Sequence, residues 1–183
     1  MKKIIFGVIL LAAVSYTAQA QRYITKTGFI RFYSEAPLEK IEAINRQVNS
    51  ALDVKTGDFV FKVLMKSFNF EKALMQEHFN ENYVESDKFP SADFRGKVTN
   101  LGSIDFARDG TYEATVEGKL TIHGITRDVS HKGTFEVSNG KILGKSKFNI
   151  QISDYNIAIP SAVVKNISPI VEVTVDVVLE KLQ

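Results

Sequence analysis

The chain has 183 residues, with 23 Lys and Arg, 21 Asp and Glu, three His and no Cys. The absence of cysteine excludes disulfides, thiolate catalysis and cysteine-held metal, and the near balance of charge excludes a broad attraction to nucleic acid or an anionic membrane. A chain of this length can hold one domain together by its core alone.

Lys2 and Lys3, the apolar run from Ile4 to Val14 and the small-residue pattern Ala18-Gln19-Ala20 have the layout of a cleavable secretory signal. They predict a signal over residues 1–20 and a domain over residues 21–183, located in the periplasm or outside the cell. Without Lys2 and Lys3 the basic count becomes 23 − 2 = 21, equal to the acidic count. The apolar run is roughly a dozen residues, short of the ~20 that span a bilayer, and no later segment comes closer, so no transmembrane segment is expected.

From residue 28 onward, short stretches alternate apolar with polar residues. Gly28, Ile30, Phe32 and Ser34 share one parity, the signature of a strand with one dry face. Leu38 to Asn49 spaces Leu38, Ile41, Ile44 and Val48 at three and four after Pro37, which predicts a short amphipathic helix, although Val48, Ser50, Leu52 and Val54 would equally begin a strand. The turn signal Lys55-Thr56-Gly57-Asp58 precedes a strand with Phe59, Phe61 and Val63 on one face. Phe70 to Tyr83 is rich in helix formers and predicts a helix that ends before Phe89-Pro90.

Further strands follow. Ala92, Phe94, Gly96 and Val98 share a parity, and so do Tyr112, Ala114, Val116, Gly118, Leu120 and Ile122. Val129, His131, Gly133, Phe135 and Val137 form the next dry face, then Ile142, Gly144, Ser146, Phe148 and Ile150, then Val171, Val173, Val175, Val177 and Leu179. Asp109-Gly110, His123-Gly124 and Asn139-Gly140 lie between strands, and Asp-Gly and Asn-Gly suit type I′ hairpin turns. About eight strands joined mostly by hairpins predict an all-β, antiparallel fold with one or two short helices packed on it. Alternation alone leaves a sandwich and a barrel open. The small residues on the inward parity (Gly28, Ser34, Gly96, Gly118, Gly133, Gly144, Ser146) either leave room for a ligand inside a barrel or mark bends in an ordinary core.

The candidate chemistry is sparse. His123 falls on the wet parity and His131 on the dry one, so a simple hairpin points them to opposite faces and they cannot share a metal ion. His78 has Glu81 and Asn82 one turn away, but zinc sites need three or four ligands and HExxH spacing is absent. His131, among apolar neighbours, needs a partner: a side chain, a water or a ligand head group. Tyr155 and Lys165 are lesser candidates. There is no G-x-S-x-G elbow or phosphate loop, and the carboxylates lie on wet faces beside lysines. No catalytic residue, metal or cofactor is expected.

Three stretches carry a family resemblance: GKLTIHGITRDVS (118–130), HFNENYVESDKFPSADFRG (78–96) and FNIQISDYNIAIP (148–160). In order and spacing they resemble the motifs of the YceI-like family of secreted bacterial lipid-binding proteins. The resemblance implies a lipocalin-like antiparallel barrel, a helix lying across it, and a long apolar cavity for a polyisoprenoid, quinone or similar lipid. The chain departs from the family pattern at Asp128, where proline is common, and at His131, where an apolar residue is common. Its 148–160 motif also lacks a longer glycine-rich continuation, which implies a shorter cavity.

The expected function is therefore binding or carriage of a long apolar ligand, with no nucleic acid partner and with the oligomeric state, a dimer included, left open. The expected ligand contacts are the inward set Ile30, Phe32, Phe59, Phe61, Phe94, Tyr112, Leu120, Ile122, His131, Phe135, Phe148, Ile150, Val171 and Val173. The competing readings are a structural protein with a filled barrel and an enzyme using His78 or His131 as acid or base.

Overall fold

The structure is a computed structural model that describes residues 21–182; the expected signal segment lies outside them. Nine strands form one antiparallel sheet: β1 (Arg22–Glu35), β2 (Lys40–Asp53), β3 (Asp58–Leu64), β4 (Asn69–Phe70), β5 (Ser91–Val98), β6 (Gly110–Ile122), β7 (Ile125–Ser138), β8 (Lys141–Gln151) and β9 (Ile170–Lys181). The order β1-β9-β8-β7-β6-β5-β3-β2 closes through a β1–β2 pairing into an eight-stranded barrel. The β1–β2 pairing joins the two edges of the sheet, and an unpaired stretch remains between β7 and β8. The short β4 pairs with β2 at Ala43 and Ile44, beyond the part of β2 that β3 covers, and so extends the wall where β3 stops.

The segment Leu38 to Asn49 is a strand and not the expected helix, since all but its first two residues fall in β2. The misleading period mixes two faces, since Ile41 shares the inward parity of Ala43 and Asn45 while Ile44 takes the outward one, and two opposed bulges then shift the register. Between the pairs Thr25↔Ser50 and Gly28↔Val48 the extra residue lies on β1, and between Gly28↔Val48 and Ile30↔Asn45 it lies on β2. The second bulge switches the inward parity of β2 from Ala43 and Asn45 to Val48, Ser50 and Leu52, all buried. The face change thus returns Val48 to the inside after Ile44 on the outside, and the apolar residues of both faces together fall at three and four. Asn45 holds this bulge, because its amide nitrogen donates to the Leu64 carbonyl at 2.9 Å and its amide oxygen accepts from the Gln47 N–H at 2.8 Å.

The second expected helix is present but shorter. Phe70 belongs to β4; α1 (Ala73–His78) follows, and a wider π-helical turn runs over Phe79–Tyr83. His123-Gly124 (φ 50° and 74°) and Asn139-Gly140 (φ 51° and 73°) form two-residue hairpin turns with positive φ at both positions. Gly124 is doubly required, since a Cβ there would also lie 2.5 Å from the Phe89 ring. Asp109-Gly110, in contrast, is not a hairpin turn: Gly110 opens β6 after a connection that runs from Thr99. That connection is long because it folds back over the barrel end, where Ile104 is buried and Leu101 and Phe106 pack beside it.

Two apolar clusters divide the interior. At the end where β1 begins and β9 finishes, Leu52, Phe59, Val98, Ile104, Ala114, Phe135, Val137, Ile142, Val177 and Leu179 form a solid core. At the other end, Ile30, Ala43, Val48, Val63, Met65, Phe68, Val84, Ala92 and Val173 form a second cluster, partly built from the excursion between β3 and β5. Of the small inward residues, Ser34, Gly133, Gly144 and Ser146 line the space between the walls, whereas Gly28, Gly96 and Gly118 do not. Gly96 and Gly118 face each other across β5 and β6, and a Cβ on Gly118 would collide with the Arg95 carbonyl oxygen. They mark a bend where two backbones approach.

Candidate functional site

The open end of the barrel encloses a cavity of about 450 Å³ with an almost wholly apolar lining, within the range of ligand pockets. Every member of the expected inward set lines it except Tyr112. Tyr112 packs against the solid core instead, and its hydroxyl donates to the Arg108 carbonyl at 3.0 Å. Phe59 and Phe135 make the floor, their rings edge to face at 5.7 Å.

The excursion between β3 and β5 supplies wall residues absent from the expected set. Phe68, Phe70 and Phe79 surround Phe32 with ring centroids 5.3, 5.6 and 5.4 Å away. The Phe68 contact is tilted, the Phe70 contact edge to face and the Phe79 contact stacked, geometries that stabilise an aromatic cluster. The available signal was compositional: Met65, Phe68, Phe70, Met75 and Phe79 crowd one short segment between two strands, which helical periodicity alone could not place inside a barrel.

The cavity has two openings. At the barrel end, His78 on α1 lines the cavity and is solvent-exposed. Glu39, between β1 and β2, also lines it and joins three segments: Lys72 Nζ lies 3.0 Å from Glu39 Oε1, and the Asn166 side chain donates to Glu39 Oε2 at 3.4 Å. The Lys72 ammonium holds the Glu39 carboxyl below its ordinary pKa.

The second opening is a seam in the wall. The β7–β8 ladder stops at Gly133↔Ser146, whereas β6–β7 continues to Ile122↔Ile125 and β8–β9 to Gln151↔Ile170. Beyond the last pair, the Ser146 hydroxyl donates to the Lys132 carbonyl at 2.7 Å. Past that point side chains span the seam: the His131 ring stacks on Phe148 at 3.8 Å with 16° between planes. Lys132, Thr134 and Lys145, outward by parity, also line the cavity there. His131 Nε2 is buried without a hydrogen-bond partner among the described residues. Burial lowers the His131 pKa and so favours the neutral imidazole.

The other histidines are placed differently from each other. His123 is not on a wet face: it sits in the β6–β7 turn with its side chain 12% exposed. Its Nε2 lies 2.6 Å from Glu85 Oε2 and its Nδ1 donates to the Tyr155 carbonyl at 3.0 Å. With both nitrogens engaged, His123 ties the hairpin to two neighbouring loops. Tyr155 is buried and lines the cavity, and burial raises its phenol pKa. Lys165 contributes its carbonyl to the Leu38 N–H. No three His, Asp or Glu side chains come together as a metal site among the described residues.

The family model of the YceI-like domain matches residues 25–179. The chain belongs to the YceI-like family. Among solved structures, a polyisoprenoid binding domain from Saccharophagus degradans, implicated in plant cell wall breakdown, superposes with a TM-score of 0.77 at 15% identity, covering 90% of this chain and 100% of the other. Burkholderia cenocepacia BcnA superposes with a TM-score of 0.66 at 15% identity over 84% of this chain and 96% of the other. The Campylobacter jejuni YceI protein does so with a TM-score of 0.57 at 16% identity over 99% and 94%. At these identities the likeness is one of fold. No curated protein matches the chain. The fold of this chain is the closed eight-stranded antiparallel barrel described above, with one extra strand and one short helix.

Proposed function

We propose that this YceI-like protein is an extracytoplasmic binding or carrier protein that buries a long apolar chain of polyisoprenoid type in its barrel. The observation that carries the reading is the apolar cavity itself, closed below by Phe59 and Phe135 and open above at His78. Burial of each methylene contributes about 0.8 kcal/mol, so a dozen give ~10 kcal/mol before the cost of ordering the chain. Affinity then needs few polar contacts, in keeping with this lining.

The S. degradans relative, described as polyisoprenoid-binding, supports the ligand class, and the leader-like residues 1–20 support export. A binding role rather than catalysis agrees with the engaged His123 and with His131 stacked on an apolar ring. Organic extraction of purified protein followed by mass spectrometry tests the proposal. One long-chain lipid recovered at near-stoichiometric amount is the expected result. A barrel that yields no lipid and takes up neither geranylgeraniol nor the neutral dye N-phenyl-1-naphthylamine would refute it.

A further inference from the structure

The three most exposed large apolar side chains among the described residues are Leu38 (69%), Leu74 (61%) and Val164 (58%). They lie far apart in sequence, yet all three border the end opening of the cavity. Glu39, which lines that opening, is the hub. Leu38 precedes it; Leu74 stands two residues after Lys72, which pairs with Glu39; Val164 stands two residues before Asn166, which donates to Glu39. The Leu38 N–H also donates to the Lys165 carbonyl at 3.0 Å, which fixes the first and third loops side by side. None of the three side chains lines the cavity.

Exposed leucine and valine, one on the short helix α1 and two in connecting segments, gain nothing for the fold. Single exposed apolar residues are ordinary, but three ringing one apolar opening are a feature that needs a reason. We infer that this rim docks on the surface of a lipid bilayer, with Leu38, Leu74 and Val164 entering the headgroup and acyl boundary around the cavity mouth. Three observations select a bilayer over a protein partner. The three are separate and stand beside lysines (Lys40, Lys72 and Lys165), whose stems can lie along acyl chains while the ammonium groups reach water. The mouth opens into an apolar space suited to an apolar chain, and contact with the bilayer lets that chain pass without crossing water. The rim also lacks a one-sign field: Lys40 pairs with Glu35 at 2.9 Å and Lys72 with Glu39 at 3.0 Å, and Glu71 and Glu77 flank α1. Apolar insertion, not attraction to anionic lipid, is therefore the holding force. The inference rests on the carrier reading for its purpose but has its own readout.

The test is flotation of the mature protein with phosphatidylcholine vesicles, beside the variant Leu38→Glu/Leu74→Glu/Val164→Glu. Thermal unfolding and solution binding of N-phenyl-1-naphthylamine are measured on both proteins. The wild type should float. The variant should lose vesicle binding by about tenfold or more while its melting temperature and dye affinity stay unchanged. Added phosphatidylglycerol or salt should alter wild-type flotation by less than about twofold. Wild-type protein left unfloated, a variant that floats equally well, or flotation that requires phosphatidylglycerol would each overturn the inference. A dimer in sedimentation that the variant abolishes, without vesicle binding by the wild type, overturns it in favour of a second copy covering the rim. Failure of the wild type to bind the dye refutes the carrier reading instead, and flotation is judged separately.

Discussion

The two ends of the barrel are built from the same strands and behave as different materials. At the end where β1 begins and β9 finishes, side chains from facing walls meet, and the β5–β6 connection drops Ile104, Leu101 and Phe106 onto them as a plug. At the other end, rings stand against the walls and against one another, as Phe32, Phe68, Phe70 and Phe79 do, and leave about 450 Å³ between them. One end supplies stability and the other supplies volume. A single barrel can combine a conventional core with a binding cavity because the stabilising contacts are not spread evenly along its axis.

The largest test of that contrast is truncation. Leu52→Ala in the solid end should cost about 2–5 kcal/mol in denaturant unfolding, because a fully buried side chain leaves a cavity its neighbours cannot fill. Ile150→Ala, on the half-buried cavity wall, should cost no more than about 1 kcal/mol, since one side of that residue already faces open space. Equal losses at both sites would show that the ends do not differ.

Overpacking should invert the pattern. Val137→Phe adds bulk where none fits and should destabilise by about 1–3 kcal/mol. Val173→Phe, on the cavity wall, should leave the unfolding midpoint nearly unchanged but weaken binding of N-phenyl-1-naphthylamine about tenfold or more by filling the site.

Asn45 sharpens the comparison, because at the open end a specific polar contact and not packing fixes the wall. Asn45→Ala strips partners from the Leu64 carbonyl and the Gln47 N–H and should cost about 1–3 kcal/mol.

The smallest effect concerns pH. Burial lowers the His131 pKa below its ordinary 6.5 in the folded chain, so the unfolded chain takes up the proton first as the solution is acidified. This contribution to stability is whole above about pH 6.5 and declines as pH falls towards the folded value. His131→Phe keeps a ring against Phe148 and should remove that part of the acid sensitivity, read as a flatter unfolding midpoint between neutral and mildly acidic pH. An unchanged slope would mean that His131 does not carry it.

How far the residue pattern reaches is best seen strand by strand. From β6 to β9 the alternation is uninterrupted, the two hairpin turns that join β6, β7 and β8 carry glycine at the second position, and reading them needs nothing else. At β2 the reading fails, because Ile41 and Ile44 lie on opposite faces and a bulge then moves the buried face from Asn45 to Val48, so that apolar residues of both faces together imitate a helical period. Tyr112 has the right parity to face inward, but parity does not say how far along the axis a residue lies, and it falls in the solid end. The rings at Phe68, Phe70 and Phe79 were out of reach for a related reason: they come from a connection, not from a strand of the barrel.

The sequence by itself determined the antiparallel strands, the faces of most of them, the two-residue turns and the family, because these depend on neighbours a few residues apart and on motifs in fixed order. Only the tertiary structure decided where the barrel is solid and where it is hollow, that the β7–β8 seam is spanned by His131 and Phe148, and that His123 is a tether. Those properties depend on which residues from distant strands and loops meet at the same height along the barrel, and closure of the sheet sets that height.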